Sequence, residues 1–181
     1  TFYYNLSLHD ALPISAEHYV MPDIISFGKK VQLAGIMVSD RIDDIEENVF
    51  RKSSRINSTW GGNLVDMVRS QKILEVIYEE NLIENAKNMG AYLLSHLEEM
   101  QSEFSAVVSN TRGLGLMCSF DFVDKDHRKE FLDLCYKNKL MMLGCGSRSV
   151  RFRTPLTVTK DDLDMGLKII RDVLSYMRNH K

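Results

Sequence analysis

The sequence has few of the residue patterns that mark a disulfide-rich, metal-binding or membrane-spanning protein. Its 181 residues include only three cysteines, Cys118, Cys135 and Cys145, with no Cys-x-x-Cys spacing. An odd, widely spaced set argues against a disulfide framework or a zinc site and favours reduced thiols in a cytoplasmic compartment. The five histidines are scattered and form no His-Glu-x-x-His cluster. The sequence therefore predicts no metal centre.

Long apolar runs and a strong charge of either sign are also missing. No stretch approaches the length of a membrane span, so a transmembrane protein is not predicted. The net charge of −2 gives no electrostatic reason to expect nucleic acid or an acidic membrane as a partner. The hydrophobic content of 44% and the charged content of 27% are those of an ordinary globular protein.

The first fifteen residues, TFYYNLSLHDALPIS, differ in character from the rest of the chain. They lack an initiator Met, a clear hydrophobic period, and the basic start and long apolar centre of a signal peptide. Residues 7–15 resemble translated sequencing-adapter sequence at the edge of an assembled fragment. We expect residues 1–16 to be a non-native or disordered leader, and the native protein to begin far upstream.

Hydrophobic periodicity predicts a mixed α/β chain. The apolar run at 24–27 predicts a buried strand that stops at Gly28, and residues 31–39 predict another. Two long helices are predicted from residue 64 onward and over 82–104, the second opened by a capping pair of Asn81 and Glu84. The remaining predicted elements are strands over 106–110, 115–123, 140–143 and 150–153 and a helix over 125–137. A final helix is predicted to be opened by Thr159 with Asp162 and to carry an apolar stripe from Leu163 to Met177.

The first candidate functional residues are Lys29 and Lys30, which follow Gly28 at the end of the apolar run. A lysine at the end of a buried strand is poorly solvated, so its amine can be shifted toward neutrality. A neutral amine can attack a carbonyl to form a Schiff base. Taken alone, two lysines after a glycine are more often a solvated loop.

The second candidate is the stretch from Asn57 to Asn63, where Thr59 is followed by Gly61 and Gly62. A hydroxyl and free backbone N–H groups at the start of a helix suit a phosphate. The alternative is an ordinary helix N-cap, which is common.

The third candidate is Arg151-Phe152-Arg153. On a strand, both arginines would share one face while Phe152 points into the core. A bidentate clamp on a substrate carboxylate is the functional interpretation. The alternative is a solvated edge or a structural ion pair. The stretch Arg112-Gly-Leu-Gly115 lacks the third glycine of a dinucleotide fingerprint and predicts only a turn or bulge entering a strand.

Four segments together resemble the C-terminal part of a class III pyridoxal-phosphate aminotransferase of fold type I, and most closely the lysine 6-aminotransferase subgroup. They are PDIISFGKKVQLAG (22–35), RINSTWGGNLVDMVR (55–69), RGLGLMCSF (112–120) and VRFRTPLTV (150–158). Their order and spacing fit along residues 20–177. The Asn57-Ser-Thr-Trp60 form with the double lysine favours the lysine subgroup.

The resemblance implies a role for each candidate residue. Lys29 falls on the lysine that holds pyridoxal 5'-phosphate as a Schiff base and then acts as the base moving a proton. Thr59 matches the residue that binds the cofactor phosphate of the neighbouring subunit in a homodimer, and Asn57 shares that cofactor and substrate site. Arg151 matches the arginine that holds a carboxylate of 2-oxoglutarate or glutamate. Arg153 is expected to be structural.

The resemblance also implies the fold and the activity. Residues 17–104 would be the end of the large cofactor-binding α/β domain with interdomain helices, and residues 105–181 a small α+β domain. The parent enzyme would move the ε-amino group of L-lysine to 2-oxoglutarate, giving 2-aminoadipate 6-semialdehyde and glutamate. The family's phosphate turn, its ring-stacking aromatic and its aspartate at the pyridine nitrogen lie upstream of the lysine, so we expect the isolated chain to be inactive.

The sequence is also compatible with two other functions. One is a class III aminotransferase for a different amine, such as 4-aminobutyrate or ornithine. The other is a non-catalytic α+β binding module in which Arg151 and Arg153 are solvated. Only the first of these predicts a Schiff base on Lys29 in the complete protein.

Overall fold

The computed structural model describes residues 4–6, 22–56 and 62–180. The chain divides into two compact units, Thr1–Asn81 and Leu82–Lys181. No helix in the described part of the chain is long and apolar enough to cross a membrane.

The first unit contains a three-stranded sheet in the order β1-β2-β3. Strand β1 (Tyr4–Leu6), within the predicted leader, runs parallel to β2 (Ile24–Phe27), and β3 (Gly35–Val38) pairs with β2 in the antiparallel sense. Gly35 lies opposite Phe27, and a Cβ at Gly35 would come within 2.5 Å of the Phe27 ring. Glycine is therefore needed for this aromatic ring to pack across the strand pair.

The strand predicted over 31–39 is shorter than expected. Lys29–Val31 forms a 3-10 turn, and the strand begins only at Gly35. The reason lies in the backbone, because Lys29 and Gln32 have φ values of 66° and 63° and cannot continue an extended chain. The predicted burial of both strands is also wrong, since β2 is half-buried and Ile36 and Met37 of β3 are exposed.

The helix α1 (Leu64–Glu79) follows a polar segment that contains a 3-10 helix over Asp40–Asp44. Its N-cap is Asn63, whose side-chain oxygen accepts the Val65 N–H at 3.0 Å. Asn81 does not form the predicted capping pair with Glu84. It has φ 52° and donates its N–H to the carbonyl of Tyr78 at 3.2 Å, so it closes α1 in the left-handed conformation that asparagine tolerates.

The elements of the second unit are α2 (Leu82–Glu103), β4 (Val108–Leu114), β5 (Met117–Phe122), α3 (Lys125–Lys137), β6 (Leu143–Cys145), β7 (Ser149–Arg151) and α4 (Lys160–Asn179). The strands form a four-stranded antiparallel sheet in the order β4-β5-β7-β6. Helix α2 packs on β4 and β5, α3 packs on β5 and β6, and α4 packs on both α2 and α3.

An aromatic cluster fills the core of this unit. Phe120 makes edge-on contacts with Phe122, Phe131 and Phe152, with ring centroids 5.5 to 5.7 Å apart. Phe122 and Phe131 approach to 4.9 Å. Edge-to-face pairs of this kind stabilise a core by about 0.5–1.5 kcal/mol each beyond their buried area. The cluster joins β5, α3 and the end of β7.

Two glycines allow α2 to lie against the turn between β4 and β5. A Cβ built on Gly90 would stand 2.2 Å from the backbone of Gly115, and Gly115 itself has φ 53°. The strand pairing also shifts register between Ser109 and Arg112. The predicted turn or bulge at Arg112-Gly-Leu-Gly115 is therefore confirmed. So is the capping box at Thr159 and Asp162, which opens α4.

Candidate functional site

Lys29 lies directly after β2, on a turn with a fixed backbone. Its carbonyl accepts the Gln32 N–H at 3.1 Å and the Gln32 side-chain amide at 3.3 Å. Helix α1 contacts this turn. The left-handed φ of 66° at Lys29 costs about 1–3 kcal/mol in a residue with a Cβ. Five other non-glycine residues in the described part of the chain also have a positive φ, so this strain alone does not identify a functional residue.

The Lys29 ammonium is exposed and has no ion pair or hydrogen bond with any described residue, and the same holds for Lys30. The expected burial of Lys29 is wrong within this chain, because β2 itself is only half-buried. A free primary amine on a constrained turn fits a cofactor that carries a carbonyl group. The chemistry of this site and the backbone at Lys29 thus suit pyridoxal phosphate.

An ion pair that sequence reasoning missed closes the base of the β2–β3 hairpin. Arg41 donates to both carboxylate oxygens of Asp23 at 3.0 and 3.1 Å, and Ser39 donates its hydroxyl to the same carboxylate at 3.3 Å. The Ser39 N–H also donates to the Asp23 carbonyl at 2.9 Å. These groups are exposed, so they contribute little stability, but they fix the strand that delivers Lys29. No local motif marks them, because Asp23 and Arg41 are 18 positions apart.

The predicted phosphate-binding residues Asn57 and Thr59 lie outside the described residues. The described chain resumes at Gly62, and the first turn of α1 is capped by Asn63. The proposed phosphate role for Asn57 and Thr59 therefore stays a prediction.

Arg151 and Arg153 both line one cavity in the second unit, with a volume of about 540 Å³. Phe152 between them is buried and its N–H donates to the Cys118 carbonyl at 2.8 Å, as the strand pattern predicted. Neither arginine makes an ion pair with a described residue, and both are exposed. The structural ion pair considered for these arginines is absent from the described residues.

The rest of the cavity is mostly apolar. Side chains from α2, α4 and residues 140–143 form its walls. The hydroxyl of Thr154 is a buried polar atom with no hydrogen-bond partner among the described residues. An apolar cavity of a few hundred Å³ with a few polar groups is the usual form of a small-molecule site. Arg151 supplies the charge that a carboxylate requires.

A group of polar residues around Asp121 was not predicted from the sequence. Asp121 is buried in β5, and its carboxylate accepts hydrogen bonds from Ser149, Asn110 and Arg112. Burial alone would raise the pKa of the Asp121 carboxyl, but these hydrogen bonds outweigh it and hold the pKa below its usual range. The only sequence signal was a charged residue between two buried phenylalanines in a strand.

Within the described part of the chain, no cysteine or histidine side chain belongs to these sites. Burial raises the pKa of the Cys118 and Cys135 thiols to about 12, so both are protonated and unreactive at neutral pH. Cys145 is exposed. Within residues 22–56 and 62–180, no group of three or more histidine, cysteine, aspartate and glutamate side chains could hold a metal ion.

Comparison with known proteins places these features in a family. The family model for class-III aminotransferases matches residues 15–174. The chain therefore belongs to the class-III aminotransferases, for which pyridoxal phosphate is the cofactor. The prediction of a mixed α and β chain of this family is confirmed.

Relatives named for lysine are more similar than those named for another amine. The L-lysine-epsilon aminotransferase of Mycobacterium tuberculosis is 45% identical over 155 residues, which is 86% of this chain and 34% of that protein. The 4-aminobutyrate aminotransferase of Sus scrofa is 29% identical over 155 residues, covering 84% of this chain and 29% of that protein. The chain thus spans about a third of the length of these relatives.

Among solved structures, a lysine aminotransferase is also similar to this chain. Lysine aminotransferase from M. tuberculosis in the internal aldimine form superposes with a TM-score of 0.88 and 42% sequence identity. The match covers 93% of this chain and 39% of that chain. A match of this extent includes residues of both units.

Proposed function

We propose that the parent protein is an L-lysine 6-aminotransferase that moves the ε-amino group of lysine to 2-oxoglutarate. The products would be 2-aminoadipate 6-semialdehyde and glutamate. The observation that carries this proposal is the 45% identity to a lysine-epsilon aminotransferase along 86% of the chain, against 29% for a 4-aminobutyrate relative. The free amine of Lys29 on its strained turn supports it.

Three residues would hold the cofactor in this proposal. Lys29 Nζ binds its carbonyl carbon, and Thr59 and Asn57 bind its phosphate. When bound, pyridoxal phosphate supplies an electron sink that stabilises negative charge at the carbon next to the amine. Lys29 Nζ would act as the base that moves a proton between the substrate carbon and the cofactor carbon. Its exposed, unpaired position leaves the nitrogen available for both tasks.

Arg151 would orient the acceptor. Its guanidinium group, free of described carboxylates, donates two parallel hydrogen bonds to a carboxylate of 2-oxoglutarate or glutamate. Arg151 thereby fixes the distance between the bound carboxylate and the reacting carbon of the acceptor.

The parent is further proposed to be a cytoplasmic homodimer in which Thr59 completes the cofactor site of the neighbouring subunit. The support is an exposed apolar face on α1, since apolar patches of this kind mark contact surfaces. Its members are Leu64, Val65, Val68, Leu74 and Tyr78.

Amine-donor specificity tests the proposal. The parent protein, with the coding sequence upstream restored, is given 2-oxoglutarate with lysine, ornithine or 4-aminobutyrate, and glutamate formation is followed. We expect kcat/KM for lysine to exceed that for each competitor by at least about 10-fold, the size of discrimination that pocket contacts supply. Preference for another donor contradicts the lysine assignment alone. Turnover of no donor, with no Schiff base, indicates the non-catalytic module.

A second prediction concerns Arg151 in the same protein. Arg151→Ala should raise the KM for 2-oxoglutarate by about 10-fold or more, because a charged hydrogen bond contributes about 1.5–3 kcal/mol. The KM for lysine should change less. Arg153→Ala is the matched control, since Arg153 has the same exposure and lines the same cavity. Equal losses for both substrates, or a larger loss in the Arg153 variant, contradict the role given to Arg151.

A further inference from the structure

The Asp121 carboxylate is the centre of a buried hydrogen-bond cluster that the proposed reaction does not use. Asp121 is 4% exposed. Its Oδ1 accepts from Ser149 Oγ at 2.6 Å and from Arg112 Nη1 at 3.0 Å, and its Oδ2 accepts from Asn110 Nδ2 at 2.8 Å. Arg148 Nη2 stands 3.8 Å from Oδ2. Oδ1 therefore accepts two hydrogen bonds and Oδ2 accepts one.

The cluster connects three strands through side chains. Arg112 of β4 donates to the Ser149 hydroxyl at 3.4 Å and to the carbonyl of Asn110 at 2.7 Å. Asp121 belongs to β5 and Ser149 to β7. The backbone pairing of β4 with β5 is interrupted next to this point, between Ser109 and Arg112. The side chains of Arg112, Asp121 and Ser149 thus connect the strands next to the point where the backbone pairing of β4 with β5 is interrupted.

The position of Arg151 depends on the same strand. Ser149 lies opposite Asp121, and Arg151 lies opposite Ser119, two residues along and on the same face. Strand β7 has three residues and pairs with β5 on one side and with β6 on the other. A slip by one residue would turn Arg151 into the core and expose Val150, which is fully buried.

The ion pair joins the buried Asp121 carboxylate to the half-exposed guanidinium group of Arg112. The cost of removing the carboxylate from water offsets much of their attraction, so stability alone is a poor reason for the pair. Fixing a register is the better attested use of such a pair. The Asp121 cluster meets that description, because its shortest hydrogen bond is made to the strand that carries Arg151.

We propose that Asp121 is a positioning residue for Arg151: by holding the Ser149 hydroxyl, it sets the register of β7 and so the point at which the Arg151 guanidinium enters the cavity. Asp121 itself touches no substrate. The inference rests on the proposed function to the extent that Arg151 is the ligand of the 2-oxoglutarate carboxylate.

The test uses the parent enzyme and a matched pair of variants at Ser149. Ser149→Ala removes the hydroxyl, and Ser149→Thr keeps it on a residue that strands accept. We expect Ser149→Ala to raise the KM for 2-oxoglutarate about 3- to 10-fold, the effect of one lost hydrogen bond, with the KM for lysine unchanged. Ser149→Thr should stay within about 2-fold of the wild type. Asp121→Asn keeps the shape of the side chain, and it should raise the KM for 2-oxoglutarate more than Ser149→Ala does.

A second measurement reads the register without catalysis. In the same proteins, amide hydrogen exchange is measured at Phe122 and Phe152, whose N–H groups donate to the Arg148 and Cys118 carbonyls across β5 and β7. We expect about 10-fold faster exchange at both amides in Ser149→Ala and little change in Ser149→Thr. Phe131→Leu is a core variant outside the Asp121 cluster, and it should lower the melting temperature. It should change the KM values for 2-oxoglutarate and for lysine by the same factor.

The outcomes separate this inference from the proposed function. If the wild type does not use lysine and 2-oxoglutarate, the proposed function fails and hydrogen exchange alone decides the role of Asp121. Unchanged exchange in both Ser149→Ala and Asp121→Asn overturns the inference. Equal rises of both KM values in Ser149→Ala, matching those of Phe131→Leu, overturn it as well, since that is the result of general destabilisation.

Discussion

Lys29→Ala in the parent enzyme should abolish the visible absorbance band of bound pyridoxal phosphate and lower the transamination rate by about 10²–10⁴-fold. The nitrogen that holds the cofactor and moves the proton is removed, and no other described lysine except Lys30 lies on this turn. Alanine and lysine both carry a Cβ, so they meet the same penalty at a φ of 66°. The loss therefore reports the amine and not the backbone.

Lys30→Ala is the matched control for this experiment. Lys30 is the adjacent residue in the same 3-10 turn and is equally exposed. Its variant should keep the absorbance band and most of the activity. Lys29→Arg adds a second control, because arginine keeps the positive charge but does not lose its proton, and it should be as inactive as alanine. A band that survives in Lys29→Ala and disappears in Lys30→Ala would transfer the role to Lys30.

Phe131→Ala should lower the free energy of unfolding of the chain by about 3–5 kcal/mol, the usual result of removing a buried phenylalanine. Phe131 is fully buried on α3, where it contacts Phe120 at 5.7 Å and Phe122 at 4.9 Å. The cavity left behind would lie beside the rings of Phe120 and Phe122 on β5. Urea unfolding followed by circular dichroism measures the change.

Tyr136→Ala supplies the comparison, since Tyr136 is an aromatic residue on the same helix with its side chain exposed. We expect it to change the free energy of unfolding by less than about 0.5 kcal/mol. Similar losses in the two variants would show that the aromatic cluster is not the centre of the core. A change in the slope of the urea transition would instead indicate an altered unfolded state.

Much of the second unit could be predicted from the sequence, because its helices carry clear apolar stripes. The final helix, its capping box and the burial of Phe152 followed directly from residue spacing. The prediction failed where single residues adopt left-handed backbone. Gln32 delays the strand that begins at Gly35, and Asn81 ends α1 without capping the next helix. Neither conformation changes the hydrophobic pattern, so periodicity does not reveal it.

The candidate site was predictable in part. Lys29 and Arg151 were chosen by their places in family segments, and the structure adds the strained turn of the first and the cavity of the second. The expected desolvation of Lys29 depended on a buried strand, which this chain alone does not provide. The Asp121 cluster could not be predicted, because it joins Arg112 to Ser149 across 37 positions.

The left-handed backbone at Lys29 has an evolutionary consequence. Glycine would occupy the same conformation without a steric penalty, and asparagine would tolerate it better than lysine. The use of its amine would retain lysine at this position against that steric penalty. A duplicated gene released from catalysis would gain fold stability by exchanging that residue, so the lysine should be among the first to disappear from inactive descendants.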